Sequence, residues 1–213
     1  MAIVEPIIRP PSEAESFLLQ VTVGCSANHC TFCGAYLNKP FAIKDFKEIV
    51  SDIKKGESSH PQTRKVFILD GDALAVNNAQ LLPVLEKLDE AFPMLSRISS
   101  YANGYNILGR TDGELQGLYA YRLKLIYIGL ESGNQYILDR CRKRSSAKEM
   151  IEAVQKAQEA KIKSSVIVLL GLGGKRYSGE HIKDTIAALN RMQPRYLSFL
   201  SLMVIPGTPL HEE

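Results

Sequence analysis

A short apolar run followed by an amphipathic stretch recurs along this chain, and this repetition constrains the fold more than any other feature. The apolar runs are nearly continuous rather than alternating, as in parallel strands that are covered on both faces. Strands and helices that alternate at this spacing predict βαβ units and a parallel sheet with right-handed crossovers. The predicted strands are Phe17–Val23, Lys65–Leu69, Arg97–Tyr101, Leu123–Gly129, Lys163–Leu170 and Tyr196–Val204.

The amphipathic stretches predict the helices between these strands. Apolar residues recur at spacings of three and four over residues 43–53 and 81–92. Ser146 and Glu149 match a capping box at the start of a third helix, and residues 182–192 supply a fourth. Six strands predict an α/β fold of the incomplete (β/α)6 parallel barrel type better than a closed eight-stranded barrel. An open, doubly wound sheet is the competing architecture.

Composition excludes several classes of protein. The chain has 213 residues, 45% hydrophobic and 23% charged, which excludes a disordered or fibrous protein. Val166–Leu170 is the longest apolar run and is too short to span a bilayer, and Met1–Pro11 lacks the apolar segment of a signal peptide. A net charge of +3 is too small to indicate a nucleic-acid partner by itself. We therefore expect one domain over residues 1–213, with no membrane partner.

Polar residues and glycines gather where the predicted strands end. In both architectures the C-terminal ends of the strands form the active face, so these segments predict where a site would lie. The segments that follow the six strands are Gly24–Gly34, Asp70–Asp72, Tyr101–Asn103, Leu130–Gly133, Gly171–Gly174 and Ile205–Pro209.

Three of the four cysteines fall within nine residues, with the spacing C-x4-C-x2-C. They are Cys25, Cys30 and Cys33, in a glycine-flanked loop after the first predicted strand. Free cysteines are often buried without a function, but three so close together at a strand end indicate a metal centre. Because no export signal precedes them, we expect reduced thiols in a cytoplasmic compartment.

The spacing leaves three kinds of metal site open. Structural zinc needs a fourth ligand, for which His29, His60 or Cys141 could serve. A plant-type [2Fe–2S] site has this spacing and a distant fourth cysteine, which would be Cys141. A [4Fe–4S] cluster held by three thiolates needs no fourth ligand and leaves one iron open to a small molecule.

The cysteine loop and the strand ends together resemble the radical S-adenosylmethionine (radical SAM) superfamily. Segments Leu69–Leu74, Ile98–Ala102, Ile128–Gly133 and Val204–Leu210 resemble its Fe–S oxidoreductase branch, related to the oxygen-independent coproporphyrinogen oxidases and to elongator protein 3. The commonest spacing in the superfamily is C-x3-C-x2-C, and this chain has one additional residue in the first gap. Relatives usually continue beyond the sixth strand, so we expect a core domain that lacks a C-terminal extension.

The resemblance implies a [4Fe–4S] cluster held by Cys25, Cys30 and Cys33, with S-adenosyl-L-methionine (SAM) bound to its open iron. Reductive cleavage of SAM would give methionine and a 5′-deoxyadenosyl radical that abstracts hydrogen from an unidentified substrate. A reductant such as flavodoxin or ferredoxin would supply the electron. The resemblance thus implies an enzyme of oxidoreductase or transferase type.

The resemblance also implies which residues contact SAM. Gly71 and Asp72 would meet its amino group, and Glu131 would accept hydrogen bonds from the ribose hydroxyls or the amino group. Lys143 would pair with the SAM carboxylate, and Arg144 is the adjacent alternative.

Weaker expectations concern two further contacts and the basic run. Phe32 matches the aromatic position near the adenine, although it could simply anchor the loop to the core. Ser99, Ser100 and Asn103 offer polar groups at the end of the third strand, and Ser100 is the one assigned as a SAM contact. The run Arg140–Arg144 has no interleaved aromatic residues, so it indicates solvated surface rather than a nucleic-acid site.

Overall fold

The computed structural model describes residues 3–212 and has a six-stranded parallel sheet at its centre. The order of strands in this sheet is β1-β4-β5-β6-β7-β8, which is also their order in the chain. A doubly wound sheet requires a reversal of strand order, whereas this order continues in one direction. The strands are β1 (Phe17–Leu19), β2 (Thr22–Val23), β3 (Ala42–Ile43), β4 (Lys65–Ile68), β5 (Arg97–Tyr101), β6 (Leu123–Glu131), β7 (Lys163–Leu170) and β8 (Tyr196–Ser201).

The sheet is an incomplete barrel, as predicted. All five neighbouring pairs are parallel, and in the described part of the chain β1 and β8 do not pair with each other. The α/β fold with a partial (β/α)6 barrel is therefore confirmed. The single domain predicted over residues 1–213 includes Met1, Ala2 and Glu213, which lie outside the described residues, and it stays a prediction.

Helices follow the strands and cover one face of the sheet. The capping box predicted at Ser146 and Glu149 is present, and a second one joins Thr111 and Glu114. None of the described helices is long and apolar enough to cross a bilayer. The helices are α1 (Phe46–Ser59), α2 (Asn78–Ala91), α3 (Gly104–Leu108), α4 (Asp112–Ala120), α5 (Gln135–Arg140), α6 (Ala147–Glu159), α7 (Ser178–Met192) and α8 (Pro209–Glu212), with 3-10 turns at Pro11–Glu13 and Ala73–Ala75.

The first predicted strand, Phe17–Val23, is wrong as a single element. The chain leaves the main sheet after Leu19, and β2 pairs antiparallel with β3. Lys44 N donates to Val21 O at 3.0 Å, so this small ladder closes the base of the cysteine loop. The helix predicted from residue 43 is also wrong at its start. Ile43 pairs in β3 and is exposed, and α1 begins only after the N-cap Asp45.

Three other strand ends differ from the prediction. β4 ends at Ile68, one residue early, and β6 continues past Gly129 to Glu131. β8 ends at Ser201 rather than Val204. β8 pairs on one side only, and its register with β7 stops at the pair Leu170 and Ser201, so no ladder holds the following residues extended.

The two faces of the sheet build two cores. Val66 and Ile68 of β4 point to the helices and join the larger core. Phe67 and Leu69 point to the opposite face, where the N-terminal residues Ile3 and Ile7 pack against them. This alternation is the period of two expected of a strand, and it leaves one face of the sheet for a cavity rather than a helix.

Candidate functional site

A cavity of about 730 Å³ lies at the C-terminal ends of the strands, on the sheet face without helices. Cys25, Cys30 and Cys33 all line it. Four of the six predicted SAM contacts line it as well, although they are scattered over more than a hundred residues of sequence: Phe32, Gly71, Glu131 and Lys143.

Main-chain hydrogen bonds hold the cysteine loop from outside. Thr31 N donates to Cys141 O at 3.0 Å, and Leu210 N donates to Thr31 O at 3.0 Å. Within the loop, Cys33 N donates to Cys30 O at 3.1 Å, the turn that a two-residue gap allows. Gly24 enters the loop with a φ of +75°, a conformation that favours glycine. The loop path is therefore set by backbone contacts.

Gly71 supports the first cysteine. A Cβ added to it would lie 2.6 Å from Cys25 Cβ and 2.9 Å from Cys25 Sγ. Gly71 N also donates to Gly24 O at 3.0 Å. Only a glycine allows the end of β4 to come this close to Cys25.

Burial keeps the three thiols protonated in the absence of a metal. It raises the pKa of Cys25 and Cys33, and it raises the pKa of Cys30 to about 11 against the opposing positive charge of Lys143. Cationic iron would favour the thiolates instead, so metal binding must release protons.

The donor set is three partly buried thiols that line one cavity. Thiolates are the ligands that iron–sulfur clusters take, so the residues present fit a [4Fe–4S] cluster held by three cysteines. Among the described residues, no three His, Cys, Asp or Glu side chains are grouped as ligands of one metal ion.

The fourth ligands considered for zinc or [2Fe–2S] lie elsewhere. Cys141 is buried behind the loop, packs with Ile137 and Leu169, and lines a separate cavity of about 220 Å³. His29 is exposed, and His60 caps the distant end of α1, where its Nδ1 lies 2.8 Å from Ser59 Oγ. None of the three lines the cavity that the clustered cysteines share.

Glu131 and Lys143 form an ion pair in the cavity wall. Lys143 Nζ lies 3.3 Å from Glu131 Oε1, and the side chains are 11% and 13% exposed. Burial lowers the pKa of Lys143, but the negative charge of Glu131 and its hydrogen bond oppose this effect, and the pKa is raised. The pair therefore offers one cation and one carboxylate to a ligand that carries both charges.

Local backbone geometry places this pair. Glu131 has a left-handed φ of +63° at an irregularity in the β6–β7 ladder. A Cβ on Gly129 would overlap the Glu131 carboxylate and lie 3.2 Å from Lys143 Nζ. Arg144 does not join the pair: its guanidinium stacks over the Tyr105 ring at 3.8 Å. Lys143 and Arg144 both line the cavity, so the basic run is not one solvated surface.

Asp72 and Ser100, the other two predicted contacts, are fully buried and do not line the cavity. The Asp72 carboxylate accepts hydrogen bonds from Ser26 Oγ at 2.5 Å and from Asn103 Nδ2 at 2.9 Å. Ser100 Oγ has no hydrogen-bond partner among the described residues. Ser100 lies behind the wall because strand side chains alternate between faces, and Tyr101 next to it faces the cavity. Asp72 lies in the loop after β4, at the N-cap of the 3-10 turn Ala73–Ala75.

Several residues that line the cavity are not among the predicted SAM contacts. Tyr101 and Tyr127 stand side by side with their ring centroids 5.8 Å apart, and Asn103 and Tyr105 follow β5. Burial raises the pKa of Tyr127 to about 12, so its hydroxyl stays protonated at neutral pH. The opposite wall is apolar and includes Leu200 and Met203. The position of Asn103 just after a strand was a sequence signal for a place in the site. Tyr127 lies in the middle of β6, so the sequence held no such signal for it.

Comparison with known families identifies a sequence match. The family model described as "Radical SAM superfamily" matches residues 19–189. A sequence search of curated proteins found no match.

Solved structures share the fold. Methylornithine synthase superposes with a TM-score of 0.69 at 14% identity over 93% of this chain and 56% of its own. Coproporphyrinogen III oxidase from Escherichia coli has a TM-score of 0.66 at 16% identity over 90% of this chain and 44% of its own. A radical S-adenosylmethionine methyltransferase from Kitasatospora setae, with cobalamin and a [4Fe–4S] cluster bound, has a TM-score of 0.69 at 16% identity. The match covers 92% of this chain and 38% of the methyltransferase. The chain thus spans about two fifths to just over half the length of these proteins.

Proposed function

Because this chain belongs to the radical SAM superfamily, whose members use a [4Fe–4S] cluster and SAM, we propose that Cys25, Cys30 and Cys33 hold such a cluster. The observation that carries the proposal is that all three cysteines share one cavity with the Glu131–Lys143 pair. When bound, the cluster and SAM supply a 5′-deoxyadenosyl radical that abstracts hydrogen from a substrate.

The residues around the cysteines match the chemistry of SAM. In this proposal Glu131 accepts hydrogen bonds from the ammonium or the ribose hydroxyls, and Lys143 binds the carboxylate. The main-chain carbonyl of Gly71 is a further acceptor for the ammonium, and Phe32 provides an apolar surface for the adenine. Asp72 acts behind the wall, because its carboxylate is already held by donors of the protein.

The rest of the cavity can orient a substrate. Leu200 and Met203 line it with apolar side chains that are 51% and 75% exposed, so they offer an open apolar surface to a substrate. Tyr101 and Tyr127 can orient a substrate by their rings, whereas the Tyr127 hydroxyl is held by Glu13. The substrate would therefore present an apolar C–H group to the cysteine side of the cavity.

The proposed reaction needs an electron and a reducing environment. Flavodoxin or ferredoxin is the class of reductant that we propose. The described chain contains no disulfide, and cluster assembly needs thiols, so we place the protein in the cytoplasm. With two members of the basic run in the cavity, no nucleic-acid role is proposed.

Anaerobic reconstitution with iron and sulfide tests the function. We expect a reduced-state EPR signal of a [4Fe–4S] cluster that changes when SAM is added, with 5′-deoxyadenosine formed in the same sample. Cys30→Ala should abolish both results. Cys141→Ala is the matched control, since Cys141 is buried outside the cavity, and should retain them. A cluster whose EPR signal does not change when SAM is added, and which is lost in Cys141→Ala, would contradict the proposal.

A further inference from the structure

The sulfur of Cys25 has a side-chain amide as its neighbour. Asn103 Nδ2 donates to Cys25 Sγ over 3.9 Å, and both residues line the cavity. The amide is therefore oriented to stabilise negative charge on this sulfur.

Asp72 fixes the orientation of that amide. Its Oδ1 accepts from Asn103 N at 3.3 Å and its Oδ2 accepts from Asn103 Nδ2 at 2.9 Å, so main chain and side chain are both held. An asparagine amide has two hydrogens. With one directed to Asp72, the second is directed to the neighbouring groups, Cys25 Sγ and the Tyr105 hydroxyl at 3.5 Å.

The same carboxylate ties the cysteine loop to the end of β5. Ser26 Oγ, next to Cys25 in the chain, donates to Asp72 Oδ2 at 2.5 Å, and Asn106 Nδ2 donates to it at 2.5 Å. Asp72 has no exposed surface. A buried carboxylate is costly unless donors surround it, so this arrangement is a built one. It fixes the distance between Asn103 and Cys25.

We propose that Asn103 is a hydrogen-bond donor to the Cys25 ligand that raises the reduction potential of the cluster, and that Asp72 is its positioning residue. This inference rests on the proposed function. On reduction one electron passes from a low-potential chemical reductant to the cluster, which changes from the 2+ to the 1+ state without making or breaking a bond. A donor to sulfur favours the state with more negative charge.

The donor is tested by an EPR-monitored redox titration of the full chain without SAM, so that ligand binding cannot contribute. Iron and sulfide contents are measured first, because a wild-type chain without a [4Fe–4S] cluster would contradict the proposed function itself. Asn103→Leu removes the amide and is expected to lower the midpoint potential by 59 mV, which is a tenfold change for one electron.

Asn106→Leu is the matched control for the donor. Asn106 donates to the same carboxylate but does not bond to Cys25 in the described structure, so its loss should shift the potential far less. A potential in Asn103→Leu equal to that of the wild type, with the cluster intact, would overturn the inference and leave the proposed function standing.

The positioning role of Asp72 is tested by a double-mutant cycle. Asp72→Asn removes a negative charge in any background, which by itself raises the potential. In the wild-type background it should also loosen Asn103, so the net shift is expected to be less positive there than in Asn103→Leu. Equal shifts in both backgrounds would show that Asp72 acts through its charge alone.

Discussion

At Gly71 and Gly129 the backbone lies so close to a functional side chain that an added Cβ would displace that side chain. The neighbour is Cys25 in the first case and Glu131 in the second. Neither glycine has a positive φ. Each is required because the neighbouring side chain leaves little space for a Cβ, not because the backbone adopts a conformation that other residues avoid.

The first prediction concerns Gly71→Ala. The added methyl group would displace Cys25, so we expect loss of most of the bound iron after anaerobic reconstitution. Gly117→Ala is the matched control: no atom lies within 4 Å of its added Cβ in α4, and it should keep the iron and stabilise the helix by roughly 0.5–1 kcal/mol. Iron analysis and thermal unfolding measure the two effects, and full iron content in Gly71→Ala would refute the steric argument.

The second prediction concerns the Glu131–Lys143 pair. Charged hydrogen bonds contribute about 1.5–3 kcal/mol, so Glu131→Gln should weaken SAM binding to the cluster-loaded protein by about tenfold or more. Lys143→Met should have a similar effect, and Lys143→Arg should restore part of it. Equilibrium dialysis under anaerobic conditions gives the dissociation constants. Lys175→Met changes an exposed lysine that follows Gly171–Gly174, and it is the control that should leave SAM binding unchanged. Unchanged SAM binding in Glu131→Gln would disprove the assignment.

At the scale of elements, α7 positions the end of β6. Ser132 Oγ lies 2.8 Å from His181 Nδ1, Gly133 N donates to Thr185 Oγ1 at 2.9 Å, and Asn134 Nδ2 donates to Asp184 Oδ2 at 2.6 Å. These contacts fix the turn that directly follows Glu131. The helix therefore acts on the cavity without lining it.

The third prediction is a loss of stability in mild acid that depends on His181. Burial lowers its pKa below the ordinary value of about 6.5. Below that value the unfolded chain binds a proton more readily than the folded one, so stability falls as the pH falls. Urea unfolding at pH 7.5 and 5.5 should show a smaller loss for His181→Asn than for the wild type. His60→Asn, which removes an exposed histidine, is the matched control and should lose as much stability as the wild type. If His181→Asn also lost as much unfolding free energy between pH 7.5 and 5.5 as the wild type, the prediction would be refuted.

At the scale of the whole molecule, a buried network joins the N-terminal segment to the sheet. Glu13 has no exposed surface and accepts from Arg97 Nη2 at 2.8 Å and from the Tyr127 hydroxyl at 2.6 Å. Ser16 Oγ donates to it at 2.5 Å. The network lies under the cavity, so it couples global stability to the aromatic wall.

The fourth prediction concerns this network. Arg97→Met leaves the Glu13 carboxylate buried without its cation, which should cost roughly 3 kcal/mol in the free energy of unfolding. The double variant Glu13→Gln with Arg97→Met should recover a large part of that loss, because no buried charge remains. Denaturant unfolding measures both. Additive losses in the double variant would contradict the proposed coupling.

Local sequence patterns anticipated the larger elements well and the smallest ones poorly. The runs that became β5 and β7 have the predicted bounds, and each of these strands pairs with a neighbour on both sides. β3 has two exposed residues and no pattern. It exists because β2 lies beside it, a contact between residues about twenty positions apart.

The sequence by itself determined the order of the main strands and helices and the position of the cysteine loop, since these depend on periodicity and on spacing within short segments. Its motifs also carried the resemblance to the family. It also supplied Glu131 and Lys143 as candidates. Only the tertiary structure decided that Lys143 rather than Arg144 meets Glu131, and that Asp72 lies behind the wall. The donors that surround Asp72 come from the cysteine loop and from the end of β5. Such burial depends on which distant segments pack together, and no local pattern encodes it.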